Sequence, residues 1–180
     1  GMNREHALFD TSRCVAAGAS DTSSALVALE ASMVIRNSSG EQVVTAEEFF
    51  VGPANDIENT TVLRPGDILV AVRIPNTWAG SSFYWEKVAD RNVWDFSLVN
   101  IAAAFKVSGG NVTDSRIVAG AVQTTPRRLT SVENAIQGQP KTQQTAQSVM
   151  QMATDGARAL AHNGFKIPLM QNLVKRAIGA

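Results

Sequence analysis

The 180-residue sequence predicts an α+β fold on three observations: a first section in which one helical pattern is followed by extended ones, three strand patterns in succession after residue 82, and a last third with helical periodicity throughout. Strands first and helices after imply a three-stranded antiparallel sheet with a helical bundle packed on one face. With 44% apolar and 18% charged residues, the chain has enough apolar surface for a real core, as one compact unit or two small ones.

The elements follow in order. "RCVAA" at 13–17 reads as a short buried strand. "SDTSSALVALEA" opens with Ser20 and Asp21 as N-cap candidates, and Ala25, Leu26 and Leu29 then recur at helical spacing. "SMVIRN" resumes an extended pattern, and the polar, broken tract from Ser38 to Asn59 is expected largely at the surface. In "LRPGD", Pro65 presets its backbone angle and Gly66 supplies a positive one, so a type II turn leads directly into the strand "ILVAVRIP", ended by Pro75.

"NTWAGSS" at 76–82 is small and polar between two strand patterns, which divides the chain into units 2–78 and 79–180. Strands are expected at 83–89, 96–107 and 112–122, the last two joined by a tight hairpin at Gly109 and Gly110. Three helices should follow: one through Leu129, Val132 and Ile136 with Gly138 as its stop, one from Val149 to Leu160, and one from Ile167 to Ile178 with Gly179 as its stop.

Sixteen basic against sixteen acidic residues, with no basic run, argue against nucleic acid as a partner. Cys14 is the single cysteine, so this chain alone builds neither a disulfide framework nor a four-cysteine metal site; a reducing, cytoplasmic setting fits. The longest apolar candidate, "LVNIAAAFKV", carries Asn100 and Lys106, which argues against a membrane span. "GMNREH" lacks the apolar stretch of a signal peptide, although export alongside a signal-bearing partner stays open, and Gly1 reads as an expression remnant.

Catalytic vocabulary is sparse. No phosphate loop, paired-histidine motif or nucleophile elbow occurs, His6 and His162 suit surface or satisfied-core roles, and Cys14 suits a small buried hydrophobe. The stretch 83–105 says more. Period-two alternation places Phe83, Trp85 and Lys87 on one strand face and Tyr84, Glu86 and Val88 on the other. Lys87 either lays its stem along the aromatics with its ammonium in water, or aims a cation at an anionic or carbonyl-rich ligand. Arg91, Trp94 and Asp95 in the following loop offer a planar cation, an aromatic face and a carboxylate; an exposed turn capped by a core tryptophan accounts for them too.

Several stretches share one further property. "NREHALF" (3–9), "RCVAA" and "SD" (13–21), "VLRPGDILVAVRIP" (62–75), "YWEKVADRNVWDFSLVNIAAAF" (84–105), "RIVAGAVQTTPRR" (116–128) and "NGFKIPLMQNLVKR" (163–176) follow in the order and spacing of a known family. The chain resembles the C-terminal half of the FAD-binding medium subunit of the molybdenum hydroxylases, which include xanthine dehydrogenase, carbon monoxide dehydrogenase and bacterial aldehyde oxidoreductases, and it is most similar to the aldehyde oxidoreductase type.

The resemblance implies that 2–78 is the second lobe of a FAD-binding domain, incomplete here, and 79–180 the C-terminal domain of the medium subunit. It further implies that Asp21 contacts the cofactor chain, Leu69 touches the flavin region and Lys87 approaches the isoalloxazine, with Arg91, Trp94 and Asp95 in a loop near the ring. The implied partners are a molybdopterin-binding large subunit and an iron–sulfur small subunit. Electrons from aldehyde, heterocycle or CO oxidation at a molybdenum–pterin centre would pass through [2Fe-2S] clusters to FAD and on to an acceptor. Trp94 stands where many relatives have tyrosine, and "AGAV" where a double glycine is usual. The family's Gly-rich pyrophosphate segment belongs to the N-terminal half, so this chain alone is expected to retain FAD weakly or not at all, to be inactive and to self-associate over an apolar face. The alternative is a non-catalytic docking scaffold that holds no FAD by itself.

Overall fold

The structure is a computed structural model describing residues 2–180; Gly1, read above as an expression remnant, lies outside them. Helix α1 (Asp21–Ala28) starts where the Ser20 hydroxyl accepts from the Ser23 N–H at 3.2 Å, and Asp21 sits in the first turn, where the helix dipole favours a negative charge. It ends in a Schellman-type turn: Ala31 N–H donates to Leu26 O at 2.9 Å across Glu30, whose φ of 55° is left-handed.

β1 (Ser32–Asn37) is the centre of a three-stranded antiparallel sheet, order β2-β1-β3, with β2 at Gly40–Thr45 and β3 at Ile68–Arg73. Between them, α2 (Ala46–Phe49) opens with a capping box in which Thr45 and Glu48 bond each other's backbone N–H groups. The Pro65–Gly66 turn forms as expected, with Gly66 at φ 93° and Asp67 N–H donating to Arg64 O. β3 is an edge strand exposed along its whole length.

After a 3₁₀ turn at Asn76–Trp78 comes the second sheet: β4 (Ser82–Val88), β5 (Val99–Ser108), β6 (Asn111–Gly120) and the two-residue β7 (Arg127–Arg128), all antiparallel in the order β4-β5-β6-β7. Gly109 and Gly110, both at positive φ, close the β5–β6 hairpin. The sheet therefore has four strands rather than three; β7 has two residues, too few to show a period in the sequence.

Both faces of this sheet are covered, which is why β5 reads as an almost unbroken apolar run. Ile101, Ala103, Phe105, Ile117 and Ala119 meet α3 (Thr130–Ile136), α4 (Gln143–Val149) and α5 (Lys166–Gly179). Ala102 and Val118 point the other way, into a second core with Val27, Ala28, Met33, Ile35 and Phe49. The C-terminal helices pack on one face, as the sequence predicts, and α1 with the first sheet closes the opposite face.

Three further expectations are revised. "RCVAA" is not a buried strand, and Cys14 is half-buried. That segment crosses the second sheet's end through isolated bonds, Ala7 N–H to Val15 O and Gly18 N–H to Gln123 O, and a Cβ on Gly18 would come within 2.7 Å of Thr124 O. The second helix stops early, passing from α4 into a 3₁₀ turn at Met150–Thr154; Gly156 (φ 80°) then turns the chain so that Arg158 N–H reaches Leu8 O. Gly179 is the last residue of α5 rather than the first beyond it, and a Cβ there would come within 2.4 Å of the Gln143 side chain.

Candidate functional site

The alternation along β4 holds. Tyr84 and Val88 pack on the helical core, while Phe83 and Trp85 on the opposite face are exposed. Lys87 shares the face of Trp85, but its side chain is only 23% exposed because its ammonium is drawn inward. Nζ donates to Asp21 Oδ2 at 2.5 Å and to the Asp95 carbonyl at 2.6 Å. An ammonium has three N–H donors, so one has no partner among the described residues. Lys87 lines a cleft of ≈ 480 Å³ with Trp85, Arg91, Trp94 and Asp95.

The loop between Val88 and Val99 is closed by Leu98 N–H donating to Val88 O at 2.7 Å. Inside it, Asp95 accepts the Arg91 backbone N–H at 2.9 Å and the Phe96 N–H at 3.0 Å, and Arg91 Nη2 donates to Trp94 O at 2.7 Å. The Arg91 N–H, then the Phe96 N–H and the Arg91 charge, hold the Asp95 carboxyl below the usual carboxylate range against partial desolvation. This bracing turns Trp94 outward at φ 57° and 93% exposed. An apolar ring in that position is an aromatic face with nothing of this chain upon it.

The structure therefore brings together Asp21, Lys87, Arg91, Trp94 and Asp95. Leu69 is elsewhere: it lies on the edge strand β3 opposite Ile35 and lines none of the clefts described here. A smaller cleft of ≈ 230 Å³ adjoins through Asp95 and is lined also by Glu5, His6, Ala16–Ala19, Ser97 and Ala121. Ser97 was not legible as a site residue; its hydroxyl donates to Asp21 Oδ1 at 2.6 Å. No group of three or more His, Cys, Asp or Glu side chains among the described residues is arranged to hold a metal. No described helix is long and apolar enough to cross a membrane.

A flavin ring is a flat heteroaromatic with carbonyl acceptors, and the spare Lys87 donor, the Arg91 cation and the faces of Trp85 and Trp94 fit that chemistry. The cleft thus offers a planar group two aromatic faces and a cation in one place.

Residues 85–180 match the CO dehydrogenase flavoprotein C-terminal domain, and residues 12–77 the FAD binding domain in molybdopterin dehydrogenase. The chain belongs to the family of FAD-binding subunits of the molybdenum hydroxylases. It is 30% identical over 171 residues to the aldehyde oxidoreductase FAD-binding subunit PaoB of Escherichia coli (strain K12), covering 94% of this chain and 50% of that protein. It is 31% identical to the glyceraldehyde dehydrogenase medium chain of Sulfolobus acidocaldarius, over 67% of this chain and 40% of that one. Quinoline 2-oxidoreductase from Pseudomonas putida 86 superposes with a TM-score of 0.77 at 27% identity, over 90% of this chain and 56% of that chain. The carbon monoxide dehydrogenase of Hydrogenophaga pseudoflava gives 0.75 at 26% identity, over 87% and 54%. The chain thus spans about half the length of the curated relatives it matches.

Proposed function

We propose that this chain is the FAD-side electron-transfer part of a molybdenum hydroxylase, with Lys87 facing the isoalloxazine. In this reading 2–78 is a FAD-binding lobe and 79–180 the C-terminal domain. The complete protein works with a molybdopterin-binding large subunit and an iron–sulfur small subunit, and oxidises an aldehyde, heterocycle or CO. The single thiol, Cys14, fits the cytoplasm as its location.

The observation that carries the proposal is the ammonium of Lys87: fixed by two short bonds, with a third donor unused, at a cleft faced by Trp85 and Trp94. FAD supplies reversible two-electron chemistry when bound. Lys87 holds a positive charge where that chemistry accumulates electrons, Arg91 adds a second cation, and the two tryptophans keep water from the ring faces. Lys87 tunes and does not transfer protons. In the FAD-loaded full-length complex, Lys87→Ala should lower the flavin midpoint potential; an unchanged redox titration would reject this role.

The exposed edge strand β3, with Ile68, Leu69, Val70 and Val72 outward, favours a second reading in which the chain is a docking scaffold that holds no FAD alone. Incubation of this chain with FAD and desalting tests the second reading: retained flavin absorbance would overturn it, and in the full-length protein absence of bound FAD would overturn the first.

A further inference from the structure

Asn100 interrupts the most apolar strand of the molecule and is buried there. A buried amide among alanines is costly unless each of its groups is bonded, and this one is bonded in a single direction. Its Oδ1 accepts from Ser24 Oγ on α1 at 2.6 Å, and its Nδ2 donates to Ser97 Oγ at 3.0 Å. Ser97 Oγ in turn donates to Asp21 Oδ1 at 2.6 Å, and Asp21 Oδ2 accepts from Lys87 Nζ at 2.5 Å. Gly120, opposite Asn100 on β6, leaves the space for the amide; a Cβ there would come within 2.4 Å of Asn100 Oδ1. The line runs Ser24, Asn100, Ser97, Asp21, Lys87, from the middle of the second sheet to the mouth of the cleft.

Both carboxylate oxygens of Asp21 are engaged inside the protein, one by Ser97 and one by Lys87. Each oxygen keeps a further lone pair, so the contact with a cofactor chain that the resemblance implies for Asp21 is compatible with both bonds. We propose that Asp21 is in addition a positioning residue, locked by Ser97 and Asn100, which fixes where the Lys87 ammonium points and how much of its charge the flavin ring meets. Resting on the proposal that the ring occupies this cleft, the inference goes beyond it by assigning the residues that set the cation's direction and strength. Each polar member has a donor or acceptor that an apolar residue would lack, and the chain of bonds leaves Lys87 with one N–H unpartnered among the described residues.

Two measurements on Asp21→Asn test it. In the 180-residue chain without cofactor, acylation of the Lys87 amine by a soluble succinimidyl ester, read by peptide mass spectrometry, should speed up roughly fivefold, the factor equivalent to a partly exposed ion pair. In the FAD-loaded full-length complex, Asp21→Asn should raise the flavin midpoint potential, opposite in sign to Lys87→Met, and the double variant should match Lys87→Met alone. Ser97→Ala, which keeps both charges, should give a smaller rise in acylation and serves if Asp21→Asn folds poorly. Unchanged acylation in both variants overturns the positioning role, as does a potential that Lys87→Met lowers but Asp21→Asn leaves in place. If Lys87→Met leaves the potential unmoved while acylation responds, the positioning stands and it is the flavin reading that fails.

Discussion

Two cations tie the first 78 residues to the second sheet, and they are built differently. Arg116 on β6 is 10% exposed, and all three of its nitrogens are engaged: Nε with Val27 O at 3.1 Å, Nη1 with Glu30 at 3.1 Å and Nη2 with Glu47 at 3.0 Å. Glu30 completes the joint by accepting from Trp78 Nε1 at 3.0 Å, and the left-handed backbone of Glu30, a position glycine would ordinarily fill, is tolerated because its carboxylate is held twice. Lys87 on β4 has two partners and one free donor at a cleft. A buried cation with every nitrogen bonded inside the fold holds the fold together, whereas Lys87, with one donor unpartnered among the described residues at a cleft, retains the capacity to bind something else.

The largest effect expected from this contrast is on stability. Arg116→Met leaves Glu30 without a cation, Glu47 with only Arg128 at 4.0 Å, and Val27 O without its donor. It should lower unfolding stability by about 3 kcal/mol in urea denaturation, below the maximum for a buried pair because both glutamates reach water. Lys87→Met should cost about 1 kcal/mol or less, as expected of a partly exposed ion pair. Equal losses in the two variants would erase the distinction between the two sites.

A third cation sharpens the comparison. Lys166 at the start of α5 is fully buried, and its ammonium donates to Glu5 O at 3.2 Å, His6 O at 3.0 Å and Ala121 O at 2.6 Å. It clasps the N-terminal segment to the helical core, helped by Asn163, whose amide donates to His6 O and Ala7 O at 3.1 Å. Burial pushes its pKa down to about 8, against the pull of the Glu5 charge. The sign follows: between about pH 8 and the ordinary lysine value near 10.4 the unfolded chain binds the extra proton, so stability should rise with pH across that window. It is lost again as pH falls through 8. Lys166→Met should flatten this slope in pH-dependent denaturation, and a slope that persists in the variant would assign it to other groups.

The smallest effect belongs to Trp94. Glycine there relieves a left-handed backbone but adds freedom to the unfolded chain, so Trp94→Gly should change stability by no more than about 0.5 kcal/mol while removing an aromatic face from the cleft. A large destabilisation would mean that Trp94 is a packing residue after all.

How much of this could be read beforehand differs between elements for physical reasons. The β5–β6 hairpin was legible because Gly109 and Gly110 separate two long apolar runs, and the face of Lys87 was legible because a strand repeats every two residues. β2 and α2 were missed because their residues are mostly exposed and carry no apolar period, although Thr45 and Glu48 had the spacing of a capping box. Helical periodicity continued past Thr154, but the backbone of Arg158 and Leu160 is bonded to Leu8 and Asn163, contacts that the local pattern does not encode. Of the site, Lys87 and its loop were visible in one stretch. The ion pair of Asp21 with Lys87 spans 66 positions, Ser97 lies before β5 and gave no signal, and Asn100 gave one, a polar residue within an apolar strand that sheet packing alone does not require.

The account stands most directly on where the Lys87 ammonium lies when the cofactor is present. A crystal structure of the full-length protein with FAD bound should show Nζ within about 3.5 Å of a ring nitrogen or oxygen, with its bond to Asp21 kept. A ring lying elsewhere, with Lys87 bonded only to Asp21 and the Asp95 carbonyl, would contradict it.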